Sequence, residues 1–380
     1  MADLLSYCHD HLDDMLDLLA ALVAHETPSS DKAALDRLGG YVAGLCRDLG
    51  AAVTVEPRAA AGDLVLAKWH DGAPGKPIVA VMHMDTVWPL GTLAQRPLRR
   101  EGDRLYGPGV FDMKGGIAAV LSAVKALQAL DHFPRRPVWA LFTTDEETGS
   151  HHSADYLRAV AQEAGLVLVP ELPTPDEGLK TARKGVGAFY VTAHGKSAHA
   201  GNEPEKGVNA VVEIARQVEA IAALSDFERG TTVTPTVIQG GAATNVVPDE
   251  ATLAVDVRAS RAEERARVER AMAGLAPTLP GASLDVRGGF NRPPMVRDSV
   301  MIATFQQAAA IAARVGLPPL TEGSAGGGSD GNFTAALGVP TLDGLGPAGA
   351  GAHAAHEHIL VPGLARRAAL IAGILLYWPQ

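Results

Sequence analysis

Pro77-Ile78-Val79-Ala80-Val81-Met82-His83-Met84-Asp85 is an uncharged apolar run that ends on two polar side chains. A short run of this kind reads as a strand buried on both faces of a sheet. Leu64-Val65-Leu66-Ala67 and Val138-Trp139-Ala140-Leu141-Phe142-Thr143 share its texture. Between the second and third of these runs in chain order lies Gly115 to Leu130, rich in Ala, Val and Leu, which predicts a helix. Strands alternating with helices give an α/β sheet with helices on both faces. Open sheets of this type build their sites at the carboxyl ends of strands. His83 and Asp85 stand at one such end, and Asp145-Glu146-Glu147-Thr148-Gly149 follows another.

The flanking segments complete the organisation. Residues 3 to 24 carry Leu, Met and Ala at helical spacing, Pro28-Ser29-Ser30 stops that helix, and a second helix is expected from about Lys32 to Leu49. From about Lys184 to Pro294 the texture changes. Phe189 to Ala193, Thr232 to Ile238 and Thr252 to Arg258 alternate as strands do, and helices are expected over Val208 to Leu224 and Arg261 to Ala273. Strand, helix, two strands, helix, strand describes a small α+β sandwich of ferredoxin-like type inserted in the larger domain. The expected division is therefore a catalytic domain in two parts, 1–183 and 297–380, around a dimerisation or lid domain at 184–296.

Bulk properties narrow the function. A chain of 380 residues suits two domains. A net charge of -10 argues against general nucleic-acid binding. Cys8 and Cys46 lie in helical stretches without metal-site spacing and fit reduced thiols of a cytoplasmic protein. Met1-Ala2-Asp3-Leu4-Leu5 has no basic region followed by an apolar run, so no secretory signal is expected. The apolar stretch with Leu370, Ile371, Ile374, Leu375 and Leu376 is broken by Gly373; it predicts a buried closing helix and no membrane span.

Five islands carry the chemistry: His83-Met84-Asp85, Asp112-Met113-Lys114-Gly115-Gly116, Asp145-Glu146-Glu147-Thr148-Gly149, Glu171 and His353. Imidazole nitrogen and carboxylate oxygen bind divalent zinc, and a hydrolytic site keeps a position open for water. A two-metal site needs about five such ligands; His83, Asp112, Glu147, Glu171 and His353 make that number. Glu146 is left over as general base, to take a proton from water and pass it to a leaving amine. Asp85 is expected to accept the His83 ring N–H and fix its tautomer. Each island alone has a simpler reading: a core histidine, a solvated acidic turn, a helix cap at Asp112, a loop carboxylate at Glu171. Their joint occurrence at strand ends favours the metal reading.

The motifs are recognisable together. His-x-Asp-x-Val-x-Pro at 83–89, Gly-x-Gly-x-x-Asp-Met-Lys-Gly-Gly at 107–116 and Asp-Glu-Glu-x-Gly-Ser at 145–150 resemble the di-zinc carboxypeptidase and aminoacylase family. The likeness is greatest to its bacterial folate-cleaving glutamate carboxypeptidase branch and runs nearly end to end. It implies a zinc-exopeptidase-like mixed sheet with flanking helices, and two zinc ions per chain, for which cobalt or manganese can substitute. It implies that Asp112 bridges both metals, that His83 and Glu171 hold one and Glu147 and His353 the other, and that the Asp112–Met113 peptide is cis. The family places its last ligand four residues before a Glu, which selects His353 ahead of Glu357; His356 is the second choice. Leu172 follows Glu171 where the glutamate carboxypeptidases carry Pro, and a Glu at 171 points away from the aminopeptidase branch, which uses Asp.

The resemblance extends to the inserted domain. Gly195 to Gly201 resembles a family segment whose histidine, here His199, reaches the partner subunit's active site in dimeric members and polarises the scissile carbonyl. Asn245 and Arg258 match positions near the substrate, and Arg292 matches an arginine that pairs with its terminal carboxylate. Arg258 also reads as a plain salt-bridge partner on its strand. The glycine-rich segment with Gly328 and Ser329 resembles a substrate loop. Gly195-Lys196-Ser197 does not end a phosphate-binding loop, because the first glycine of that motif would fall on Tyr190. The expected protein is a homodimeric hydrolase of an amide beside a free α-carboxylate, acting on an N-acyl amino acid, a folate-like glutamate conjugate or a short peptide. A dipeptidase or a succinyl-diaminopimelate-type deacylase is the alternative, and a non-catalytic binding protein on the same fold the remote one.

Overall fold

In the computed structural model, which describes residues 4–379, the predicted apolar strands lie side by side. An eight-stranded sheet has the order Ala52–Glu56, Leu64–Trp69, Val138–Thr143, Ile78–His83, Leu166–Val169, Thr341–Asp343, Leu179–Arg183, Glu322–Ala325. Its middle four strands are parallel. Every residue of Ile78–His83 is buried, as a parallel strand covered on both faces requires. The antiparallel edge strand Ala52–Glu56 is largely exposed. The sheet is thus mixed and flanked by helices, as expected.

Helix starts are set by local chemistry. Asp31 accepts Ala34 N–H at the start of Lys32–Asp48, and Asp298 accepts Met301 N–H at the start of Ser299–Arg314. Each cap satisfies an otherwise orphaned main-chain donor and contributes about 1 kcal/mol. The closing helix is Val361–Tyr377, buried along most of its length and packed on Gly115–Ala129. Burying each of its leucines and isoleucines contributes about 1.5–3 kcal/mol. None of the described helices is long and apolar enough to cross a membrane. The single helix expected over 3–24 is instead two, Leu4–Asp10 and Leu12–Val23. Between them His11 stacks on Tyr7, and its Nδ1 lies 2.8 Å from the Tyr7 carbonyl that its own main chain also uses. The acidic opening Met1-Ala2-Asp3 and the expected helix start at Asp3 lie outside the described residues.

The chain divides into two compact units. Unit 1 runs to Thr181 and resumes over Arg297–Ala325 and from Ser329; unit 2 is Ala182–Val296 with Gly326–Gly328. The stretch expected as one piece over 297–380 therefore gives three glycines to unit 2. Arg183 accounts for this, because its Nη1 donates to the carbonyls of Gly327 and Gly328.

Unit 2 holds a four-stranded antiparallel sheet in the order Thr232–Gly240, Glu250–Ala259, Gly185–His194, Ser283–Arg292. Helices Ala210–Ala222 and Ala262–Ala273 bury Ile214, Ile221, Val268 and Met272 against Val191, Val255 and Val257. The element order is the expected strand, helix, two strands, helix, strand. The last strand of that pattern is Ser283–Arg292, which alternates over Ser283–Arg287 and is then interrupted by Gly288 and Gly289. Gly288 sits at φ 100, and a Cβ there would lie 2.2 Å from the Ala188 carbonyl oxygen, so only glycine fits the pairing.

Glu264 locks helix Ala262–Ala273 to this unit. Its buried carboxylate accepts from Arg267, Thr231 and Arg229. The Arg267 hydrogen bonds, with those of Thr231 and Arg229, hold its pKa down to about 2. A carboxylate held low stabilises the fold fully above its ordinary range near 4.5 and loses that contribution as pH falls toward about 2. Glu264→Gln is expected to cost roughly 1.5–3 kcal/mol at neutral pH, with the gap to wild type closing in acid. Urea melts at neutral pH and near pH 2 check this; a gap that stays constant contradicts it.

Candidate metal centre

Three adjacent parallel strands deliver their carboxyl ends to one place in unit 1. His83 is the last residue of Ile78–His83, Glu146 and Glu147 follow Val138–Thr143, and Glu171 follows Leu166–Val169. Asp112 comes from the turn just before helix Gly115–Ala129, and the Asp112–Met113 peptide is cis. His353 lies on the loop after Gly349–Ala350, at φ 60. A non-glycine residue in the left-handed region persists only where its surroundings fix it.

The side chains converge on Asp112. His83 Nε2 lies 3.1 Å from Asp112 Oδ1 and 3.4 Å from Glu171 Oε1. His353 Nε2 lies 3.4 Å from Asp112 Oδ2 and 3.0 Å from Glu147 Oε2. One carboxylate therefore turns its two oxygens toward two different imidazoles. Glu146 and Glu147 sit in a single 3₁₀ turn, Glu146–Thr148, where neighbouring side chains point about 120° apart. Their carboxylates diverge accordingly. Glu146 places an oxygen within 4.8 Å of donor atoms of His83 and Glu171, and Glu147 does the same with His83 and Asp112.

Asp85 does more than its expected task, and part of that task passes to its main chain. The His83 Nδ1 partner at 3.0 Å is the Asp85 carbonyl oxygen, while the Asp85 carboxylate is 3.4 Å away. That carboxylate accepts Glu146 N–H and Glu147 N–H, each at 3.2 Å, and the Ser29 hydroxyl at 2.6 Å. It therefore shapes the Glu146-Glu147 turn.

The electrostatics of the protein atoms alone call for added positive charge. Burial would lower the His83 pKa, yet hydrogen bonds to Asp112, Asp85 and Glu171 hold it well above the ordinary range. Hydrogen bonds to Asp112 and Glu147 raise His353 to about 10. Against the cost of burial, the same two rings hold the Asp112 carboxyl well below the usual carboxylate range, and burial pushes Glu147 up. Glu147 Oε1 is buried and meets no hydrogen-bond donor among the described residues. An orphaned buried carboxylate oxygen is costly, and a cation would satisfy it. Imidazole and carboxylate donors suit zinc, cobalt or manganese. The residues fit two divalent ions.

The substrate-side candidates fall differently. Ser329 is in unit 1 but fully buried, and its hydroxyl donates to Asp343 Oδ2 at 2.6 Å, so that side chain is committed to shaping its loop. The others belong to unit 2. His199 is exposed on a ribbon where it pairs with Val246, next to Asn245, whose carbonyl accepts Ala200 N–H. His199 Nδ1 accepts Gly201 N–H and Asn202 N–H, both at 3.1 Å. These bonds put the proton of the neutral ring on Nε2 and turn an N–H donor outward. Arg292 is buried, and both Arg292 and Arg258 stand across from Val186 on its two neighbouring strands. Arg258 takes its salt-bridge role, with Nε and Nη2 at 3.0 and 2.8 Å from the Asp256 carboxylate. Gly328 is partly exposed and held through its carbonyl by Arg183.

Comparison with known proteins gives the family. The model of peptidase family M20/M25/M40 matches residues 80–377. Carboxypeptidase G2 of Pseudomonas sp. (strain RS-16) is 32% identical over 374 residues, 97% of this chain and 90% of that protein. The chain belongs to peptidase family M20/M25/M40. This M20 protein is accordingly a hydrolase of amide bonds. It is also similar to succinyl-diaminopimelate desuccinylase of Alkalilimnicola ehrlichii, 28% identical over 77% of this chain and 81% of that one. Among solved structures, aminopeptidase PepT of Bacillus cereus shares the fold, with a TM-score of 0.78 at 23% identity over 96% of this chain and 98% of that one.

Sequence reading missed several residues that build the M20 site. Glu357, Trp88 and Ser29 hold its loops through hydrogen bonds. Lys114 is buried beneath the site and donates to the His25 carbonyl; burial lowers its pKa to about 7 against the charges of Glu357, Glu26 and Asp85. Of these, only Glu357 had carried a signal, its spacing from His353. Gly116 explains the second glycine of the Asp-Met-Lys-Gly-Gly motif. A Cβ there would lie 2.0 Å from the Pro170 carbonyl oxygen, so the helix behind Asp112 packs directly on the segment that carries Glu171. Gly116→Ala is expected to cost about 1–3 kcal/mol and to weaken metal binding by moving Asp112 and Glu171 apart. Thermal melts of the metal-free protein and a metal titration check both effects.

Proposed function

We propose that this chain is a two-zinc amidohydrolase that cleaves an amide beside a free α-carboxylate. It releases C-terminal glutamate or another amino acid from N-acyl or folate-like conjugates, and it works as a homodimer. The observation that carries the reading is the Asp112 carboxylate, with one oxygen toward His83 and the other toward His353. The similarity to carboxypeptidase G2 over nearly the whole chain supports the carboxypeptidase form. Similarity to a desuccinylase keeps a deacylase as the second reading. A purely binding protein is disfavoured, because every expected metal donor is present.

His83, Asp112 and Glu171 would hold one ion in this reading, and Asp112, Glu147 and His353 the other. Two such ions would supply Lewis acidity at the site. Glu146 would serve as the general base, taking a proton from the attacking water and returning it to the leaving amine. Asp85 keeps the turn of Glu146 and Glu147 in place. His199 of one copy, in the homodimer proposed here, offers its Nε2–H to the carbonyl oxygen in the other copy's site as negative charge develops there. Arg292 pairs with the substrate carboxylate, and Asn245 and Gly328 line its binding. A second copy is supported by the edge strand Thr232–Gly240, which exposes Val237 and Ile238, since an open apolar sheet edge favours pairing.

The test combines metal analysis with amino acid release from a panel of N-acyl amino acids, folate-like glutamate conjugates and dipeptides. About two metal ions per chain with release of glutamate from acyl or folate-like conjugates is the expected result. Release from succinylated diamino acids alone moves the assignment to the deacylase, and no metal with no release overturns the reading. Glu146→Gln is expected to lower kcat on the order of 10²–10⁴-fold with both metals retained. His199→Ala is expected to lower it on the order of 10²–10³-fold, again without metal loss. Near-normal turnover in either variant contradicts that residue's role.

A further inference from the structure

We infer that Glu357 is a positioning residue whose carboxylate, by gathering four N–H groups from separate loops, fixes the aim of Asp112 and so sets the affinity of the centre for metal. The inference rests on the two-metal reading proposed above. Glu357 is 2% exposed. Its Oε1 accepts Phe111 N–H at 3.0 Å and Asp112 N–H at 3.1 Å. Its Oε2 accepts Gly109 N–H at 2.9 Å and the Trp88 indole N–H at 2.7 Å. Two carboxylate oxygens offer about four acceptor sites, and all are filled.

These four bonds join three segments of the site. Trp88 follows closely on the strand end that carries His83 and Asp85. Gly109, Phe111 and Asp112 form the turn that presents the shared carboxylate. Glu357 itself closes the turn of His353, through Glu357 N–H to the Ala354 carbonyl at 3.0 Å. The distances from His83 Nε2 to Asp112 Oδ1 and from His353 Nε2 to Asp112 Oδ2 thus depend on one buried side chain that touches neither imidazole through a hydrogen bond. Groups behind metal ligands typically change metal affinity by about 10–100-fold when altered.

Glu357→Gln separates this role from space filling. The amide has the same shape, but its single oxygen serves two donors, and its NH₂ group faces the other two. The experiment titrates Zn²⁺ into metal-free wild type and Glu357→Gln by calorimetry, with circular dichroism of both metal-free proteins to compare folding. The expected result is a variant that folds and binds Zn²⁺ about 10–100-fold more weakly. Wild-type affinity in Glu357→Gln overturns the inference. Should that variant not fold, Trp88→Phe decides: it removes one of the four donors and keeps an aromatic ring, and a few-fold loss of affinity is expected, whereas unchanged affinity overturns the inference. A wild type that binds no Zn²⁺ removes the two-metal reading itself, an outcome distinct from equal binding by wild type and variant.

Discussion

Four carboxylates drawn to one spot repel one another, and unit 1 is arranged to hold them there. Asp112, Glu146, Glu147 and Glu171 gather around two imidazoles, a charge arrangement no folded chain adopts without compensation. Part of the compensation is the pair of rings, whose pKa values the carboxylates raise. Part is mechanical. Parallel strand ends fix the starting points, Asp85 pins the Glu146-Glu147 turn from behind, and Glu357 pins the Asp112 turn. Close packing of Gly116 on Pro170 leaves the helix after Asp112 little room to retreat. The two anchors, Asp85 and Glu357, are themselves buried carboxylates that accept main-chain N–H groups, so repulsion at the front is met by hydrogen bonding at the back.

The two units divide the chemistry by type of group. Unit 1 carries the proposed metal donors and the proposed general base on strand ends and tight turns, where small displacements matter. Unit 2 carries His199, Asn245 and Arg292, the side chains proposed to recognise the substrate. A family that includes carboxypeptidases and deacylases can keep the first set and vary what surrounds the second, because a fold does not fix the substrate.

Much of this was legible from local pattern. The strand Val138–Thr143 and the helix starting at Gly115 have the residue types their places require, and the five islands named the converging donors. What could not be read is long-range. Glu357 and Gly109 are 248 positions apart, and no periodicity joins them. The Asp85 carboxylate and carbonyl compete for one ring nitrogen, and only coordinates tell which is nearer. Ser329 looked available for a ligand because nothing local announces that Asp343 takes its hydroxyl. The bounds of the strand Ser283–Arg292 were blurred by the same glycines that let it pair, and the break at His11 between the first two helices falls where sequence periodicity sees an ordinary polar position.

The two histidines facing Asp112 meet solvent very differently: the His83 side chain is 1% exposed and that of His353 is 53% exposed. The proposed two-ion centre would therefore have an inner and an outer seat. An ion held by His83 would be walled in by strand ends. An ion held by His353 would have a ring on a loop as its door, so it would exchange with bulk solution first and leave first when a chelator competes.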